Sequence, residues 1–221
     1  MKGNINKLTV LMIITVMALF IMAGLASAGS SGHHAIRGQY AYAGETTCLV
    51  SPSGFNTNLQ PNAGWGIIQT YSREGKVTFE LNGTGSADLF SRVVALPYTI
   101  PSPPAPVPTP VPPSAGTQGV TYDFTYTWTN DGTITITVVP GTFISTWITG
   151  PSKPASYLVE GVLTDGVITP ISWDNAITPD GKTITFTTGA PDVFKLKRID
   201  APAAPNYSIC HNSGVLIWQH E

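Results

Sequence analysis

Val120-Thr121-Tyr122-Asp123-Phe124-Thr125-Tyr126-Thr127-Trp128-Thr129 alternates without a break between an apolar residue and a polar one. Period two places successive side chains on opposite faces of an extended chain. Val120, Tyr122, Phe124, Tyr126 and Trp128 therefore share one face, with the threonines and Asp123 on the other. The stretch reads as a half-buried β-strand. It runs into Asn130-Asp131-Gly132, which supplies the positive φ angles of a tight turn, and then into Thr133 to Val139, where Ile134, Ile136 and Val138 share a face. Together these segments predict a β-hairpin.

The same turn chemistry recurs outward along the chain. Asp165-Gly166 and Asp180-Gly181 fall between the β-branched runs Tyr157 to Thr164, Val167 to Trp173 and Lys182 to Thr188. Trp65 to Tyr71 and Lys76 to Asn82 flank Arg73-Glu74-Gly75 and read as a further hairpin, with Val77, Phe79 and Leu81 on one face. Strands are also expected at Gly38 to Val50, Thr142 to Thr149, Val193 to Ile199 and Gly214 to Gln219, while Ser86 to Leu96 suits either a strand or a short helix. Roughly ten short strands at this spacing predict an all-β fold, an antiparallel meander forming a barrel, with a two-sheet sandwich as the alternative.

Composition supports this class. Of 221 residues, 42% are hydrophobic and only 11% charged, with 22 glycines and 19 prolines. So many breakers in so apolar a chain exclude a coiled coil and a charged disordered tail. Lys2 and Lys7 precede the apolar run Leu8 to Leu25, and Ala26-Ser27-Ala28 has the small-x-small pattern of a cleavage site. Residues 1–28 read as a signal peptide and 29–221 as a single β domain, a membrane anchor being the rival reading of the leader. The expected location is exported, either periplasmic or extracellular, with no membrane span after cleavage. Without the leader, nine basic residues face thirteen acidic ones. The one basic cluster, Lys195, Lys197 and Arg198, is too small to track a phosphate backbone, so nucleic acid is not an expected partner.

Cys48 and Cys210 lie near the two ends of this domain, and an oxidising compartment predicts that they pair. A reactive thiol pair or a metal site beside His211 is the alternative, but no CxxC or HxxxH spacing accompanies them. Pro97 to Pro113 contains nine prolines in seventeen residues and reads as a loop without ladder hydrogen bonds. Its PxxP spacings offer a protein partner a polyproline surface, although an SH3-type partner does not suit an exported chain.

Catalytic signatures are missing from the sequence: there is no GxSxG, HExxH, P-loop, GxGxxG or EF-hand pattern. No catalytic residue, metal ligand or cofactor is assigned, and a non-enzyme is the preferred reading, with a barrel enzyme left open as a further alternative. An enzyme would need a polar lumen bringing Glu80, Asp123, Glu160 and Asp174 together for acid-base work. Trp65, Trp128, Trp147, Trp173 and Trp218 are spread over separate expected strands, as core fillers or as cavity lining. If the sheet closes, the Tyr122, Phe124, Tyr126 and Trp128 face points inward and becomes the candidate site for a small apolar ligand. A surface or matrix interaction protein with no cavity is the alternative.

Two resemblances bear on this reading. The segments Cys48-Leu49-Val50-Ser51-Pro52-Ser53-Gly54-Phe55-Asn56 and Ile209-Cys210-His211-Asn212-Ser213-Gly214-Val215-Leu216-Ile217 resemble those of small exported bacterial proteins. That likeness implies export and no particular activity. Gly38-Gln39-Tyr40 on the first expected strand, with Arg198 on a late one, resembles the lipocalin pattern, with tyrosine in place of that family's tryptophan and no helix after the strands. It implies an antiparallel calycin barrel holding a small apolar ligand.

Overall fold

A computed structural model describes residues 36–99, 114–129, 131–150, 155–188 and 192–219. The expected signal peptide, His33, His34, His220, Asn130 and most of the proline-rich segment lie outside the described residues. The described residues form an all-β fold of twelve antiparallel strands with no helix.

Five long strands make one continuous wall. They are β1 (Gly38–Ser51), β2 (Trp65–Phe79), β3 (Thr84–Thr99), β4 (Ser114–Trp128) and β12 (Asn206–Trp218), in the order β4-β3-β2-β1-β12. The opposite wall is split into two shorter sheets. One contains β5 (Thr133–Val138), β9 (Ser172–Ile177) and β10 (Thr183–Thr187), and the other β6 (Ile144–Thr149), β7 (Ala155–Thr164) and β11 (Asp192–Arg198). β4 and β12 are long enough to serve both. Phe124 to Trp128 pairs with β5 while Thr117 to Thr121 pairs with β6. On β12, Ser213 to Ile217 pairs with β10 while Asn206 to Cys210 pairs with β11. Each short sheet thus closes a ring of eight strands with the long wall, and closure removes the free edges that an open sheet would present. β8 (Val167–Thr169) pairs only with β7 and stands off the ring.

The turn residues behave as their chemistry requires. Gly132, Gly166 and Gly181 have φ of 87°, 82° and 70°, and Asp165 reaches 50°. Glycine meets no Cβ clash there, and aspartate tolerates it better than most residues. The meander runs from β1 to β5, after which β6 returns to β4 rather than continuing beyond β5.

Two expectations need correction, and one open alternative is decided. Arg73-Glu74-Gly75 is not a turn but the middle of β2, paired residue by residue with Gly44, Ala43 and Tyr42 of β1. Gly75 stands there because a Cβ would lie 2.7 Å from the Leu89 Cα of the neighbouring strand, a close approach and not a reversal. The reversal comes later, where Gly83 donates its amide to the Glu80 carbonyl. Val167 to Trp173 is two strands rather than one, because Pro170, which has no N–H to donate, falls between β8 and β9. Ser86 to Leu96 resolves as strand, inside β3.

The barrel interior is the core. At one end, the Phe79 ring centroid lies 5.1 Å from those of Tyr40, Phe124 and Tyr126, edge-on to each. The phenols of this cluster are anchored to backbone: Tyr40 donates to the Gly181 carbonyl at 2.6 Å, and the Tyr126 hydroxyl lies 2.8 Å from the Ile36 carbonyl and 2.6 Å from that of Glu80. Such edge-to-face packing closes that end of the barrel.

Candidate functional site

Deeper in the barrel, the side chains do not fill the space. A lumen of about 120 Å³ remains, bounded by Tyr42, Arg73, Tyr122, Phe124, Trp173 and Phe194 among others. Cys48 and Cys210 are disulfide-bonded and also face it, both buried.

The four aromatic residues singled out on β4 do share the inward face, but they occupy different depths. Tyr122 and Phe124 line the lumen. Tyr126 is buried in the end cluster, and Trp128, next along the strand, is 36% exposed. The four carboxylates considered for acid-base work do not meet in the lumen. Glu80 and Asp123 are exposed, Glu160 is paired with Lys195 at 3.0 Å, and Asp174 accepts a hydrogen bond from Thr135 at 2.6 Å. Of the lipocalin-like positions, Tyr40 is buried on β1, and Arg198 is paired with Asp200 at the end of β11.

Sequence reading missed the residue that gives the lumen its charge. On β2, Tyr71, Arg73, Val77 and Phe79 fall on one face by period two, so Arg73 points inward with the core residues. Its guanidinium carbon lies 4.9 Å from the centroid of the Tyr71 ring. Burial raises the phenol pKa values of Tyr42, Tyr71 and Tyr122, that of Tyr71 to about 12, and the Arg73 charge offsets part of the rise at each. The cation therefore sits among three phenols. No carboxylate lines the lumen with it.

Cross-strand register explains the surroundings of Arg73. Gly44, Arg73, Ser91 and Gln118 are successive partners across β1, β2, β3 and β4, forming one interior rung. Gly44 brings no side chain to the rung, and the Tyr42 phenol leans over it. Ser91 is fully buried, and Gln118 accepts a hydrogen bond from Ser145 at 3.0 Å. Next to this rung, Thr46 donates to Asn212 at 2.6 Å. The signal for Arg73 was present in the sequence: carrying the Val77 and Phe79 alternation backwards places it on their face.

A second depression, about 260 Å³, lies along β9, β10 and the start of β11. It shares Trp173, Asn175 and Phe186 with the lumen, so these side chains form the partition between the two spaces. Asp174 and Asp192 stand on the outer side, and burial raises the Asp192 carboxyl above its usual range.

The outer surface has one distinctive row. Leu96, Ile68, Leu49, Ile209 and Val193 are successive partners across β3, β2, β1, β12 and β11, all on the outward face. Leu96 is 46% exposed and the other four half-buried.

Fold and lumen together define an antiparallel β-barrel with a largely apolar interior and one internal cation. No family model and no curated protein matches the chain.

Proposed function

We propose that the protein is an exported binding protein that holds a small apolar ligand inside its β-barrel. The supporting observation is the lumen itself: about 120 Å³ left open among Tyr122, Phe124, Phe194 and their neighbours in an otherwise close-packed interior. Its size sets the kind of ligand. Sites for larger organic ligands start at roughly 300 Å³, whereas an engineered apolar cavity of about 150 Å³ takes benzene. A guest of about one ring fits, and a long-chain lipid does not. Titration with toluene and with phenol, followed by ligand-observed NMR, should show saturable binding at one site. Val159→Phe, which fills the lumen, should abolish it. Failure of every one-ring probe to bind the native protein rejects the proposal.

A second reading, an interaction surface, is supported by the outward row from Leu96 to Val193. On that reading, Leu49→Lys would abolish self-association or partner capture while leaving one-ring probes bound. A protein that is monomeric at high concentration and binds toluene counts against it.

A further inference from the structure

Among the described residues, four side chains carry a buried polar atom with no hydrogen-bond partner: Arg73 Nε, Ser91 Oγ, Trp173 Nε1 and Glu160 Oε2. Glu160 has a cation beside it, the Lys195 ammonium. The other three belong to the barrel interior. Arg73 and Trp173 line the lumen, and Ser91 is the direct cross-strand partner of Arg73. All three can donate: a guanidinium N–H, a hydroxyl and an indole N–H. Tyr122 connects them, since its ring centroid lies 6.2 Å from that of Trp173 and its phenol feels the Arg73 charge.

Buried polar groups in folded proteins are nearly always hydrogen-bonded, and a buried charge is nearly always paired. Here the guanidinium of Arg73, half-buried with its Nε shut off from water, faces a lumen with no carboxylate, beside the buried indole N–H of Trp173, which meets no acceptor. The missing component is an acceptor carrying negative charge. Gly44, on the same rung as Arg73, has no side chain of its own, and the Tyr42 phenol leans into the place a Cβ would take. The two carboxylates of the neighbouring depression, Asp174 and Asp192, lie beyond the Trp173 partition and do not line the lumen.

We propose that Arg73 seats the anionic group of the ligand, and that the lumen takes a small monocarboxylic acid whose apolar body is about one ring in size. This rests on the reading of the lumen as a binding site. One internal cation matches one negative charge, and the volume left beyond it is walled by Tyr122, Phe124 and Phe194. The carboxylate would accept from the guanidinium, with the charge-assisted bonds that make arginine the usual partner of a planar acid.

The test compares benzoate with benzyl alcohol and toluene, which present the same ring without the charge, by calorimetry and by thermal shift of the native protein. Benzoate should bind at least tenfold more tightly than benzyl alcohol and give the larger rise in Tm. Arg73→Met should remove that preference and leave toluene binding in place. Arg73→Lys, which keeps the charge but loses the planar fork, should weaken benzoate severalfold and toluene not at all, which keeps the claim testable if the methionine variant does not fold. Equal binding of benzoate, benzyl alcohol and toluene overturns the anionic seat and leaves the apolar lumen standing. Acetate binding as tightly as benzoate overturns the apolar body. Absence of binding by all three ring probes overturns both proposals.

Discussion

Cys48 on β1 stands directly opposite Cys210 on β12, and their disulfide crosses the seam at which the first and last strands close the barrel. The bond encloses a sequence separation of 162 residues. A cross-link over so long a loop restricts the unfolded chain strongly, with an upper limit of about 5 kcal/mol. Thiol titration of the unfolded, unreduced protein should detect no free thiol. The double variant Cys48→Ala/Cys210→Ala should lose about 2 to 5 kcal/mol in urea unfolding. A loss below about 0.5 kcal/mol would mean that the β1–β12 ladder alone holds the seam.

Tyr126 separates packing from binding on the β4 face. It belongs to the end cluster around Phe79 and does not line the lumen. Tyr126→Ala should lower stability by about 3 to 5 kcal/mol, as for other buried aromatic residues. Tyr126→Phe should cost about 1 to 2 kcal/mol by leaving the Ile36 and Glu80 carbonyls without their donor. Both variants that fold should bind toluene as the native protein does. A selective loss of toluene binding in Tyr126→Phe would place the ligand at the barrel end instead.

The strand content was readable because alternation and turn chemistry are local. The β4–β5 hairpin followed from ten alternating residues and an Asp-Gly turn, and neither depended on distant partners. Gly75 was misread because a glycine after two charged residues looks the same locally whether the chain reverses or a neighbouring strand approaches closely. Only the position of Leu89 distinguishes the two cases. That error hid Arg73, the residue on which the lumen's chemistry turns. The division of labour on β4 and β12, each pairing with two short sheets, has no local signal, since it depends on strand length and on register across the ring.

Gly44 is held by space rather than by backbone angle. A Cβ there would lie 2.7 Å from the Ser213 carbonyl oxygen and 2.8 Å from Cζ of Tyr42. The ring can move but the β12 backbone cannot do so without opening the seam. Gly44→Ala should therefore cost about 1 to 3 kcal/mol, as overpacking does. The control is Gly119→Ala, whose nearest neighbour would be Ile148 Cδ1 at 3.6 Å. It should stay within about 0.5 kcal/mol of the native protein. Equal stability of the two variants would refute the steric argument.

Alkaline pH should unfold the barrel through its tyrosines. Burial pushes the phenols of Tyr40 and Tyr71 up to about 12 and raises those of Tyr42, Tyr122 and Tyr126 as well. In the unfolded chain each titrates near 10. Below that pH both states hold the proton, and the contribution of these groups is constant. Above it the unfolded chain releases protons that the folded one keeps, so ionisation draws the equilibrium towards unfolding. Each such tyrosine should cost about 1.4 kcal/mol per pH unit until its folded pKa is reached. The urea midpoint should be flat from about pH 7 to 9 and fall steeply towards pH 12, while the tyrosinate absorbance of the folded protein lags behind that of the unfolded chain. Tyr71→Phe should make the fall shallower because it removes one of the shifted groups. A midpoint that does not change between about pH 9 and 11.5 would show that these phenols titrate alike in both states and that water reaches them inside the barrel.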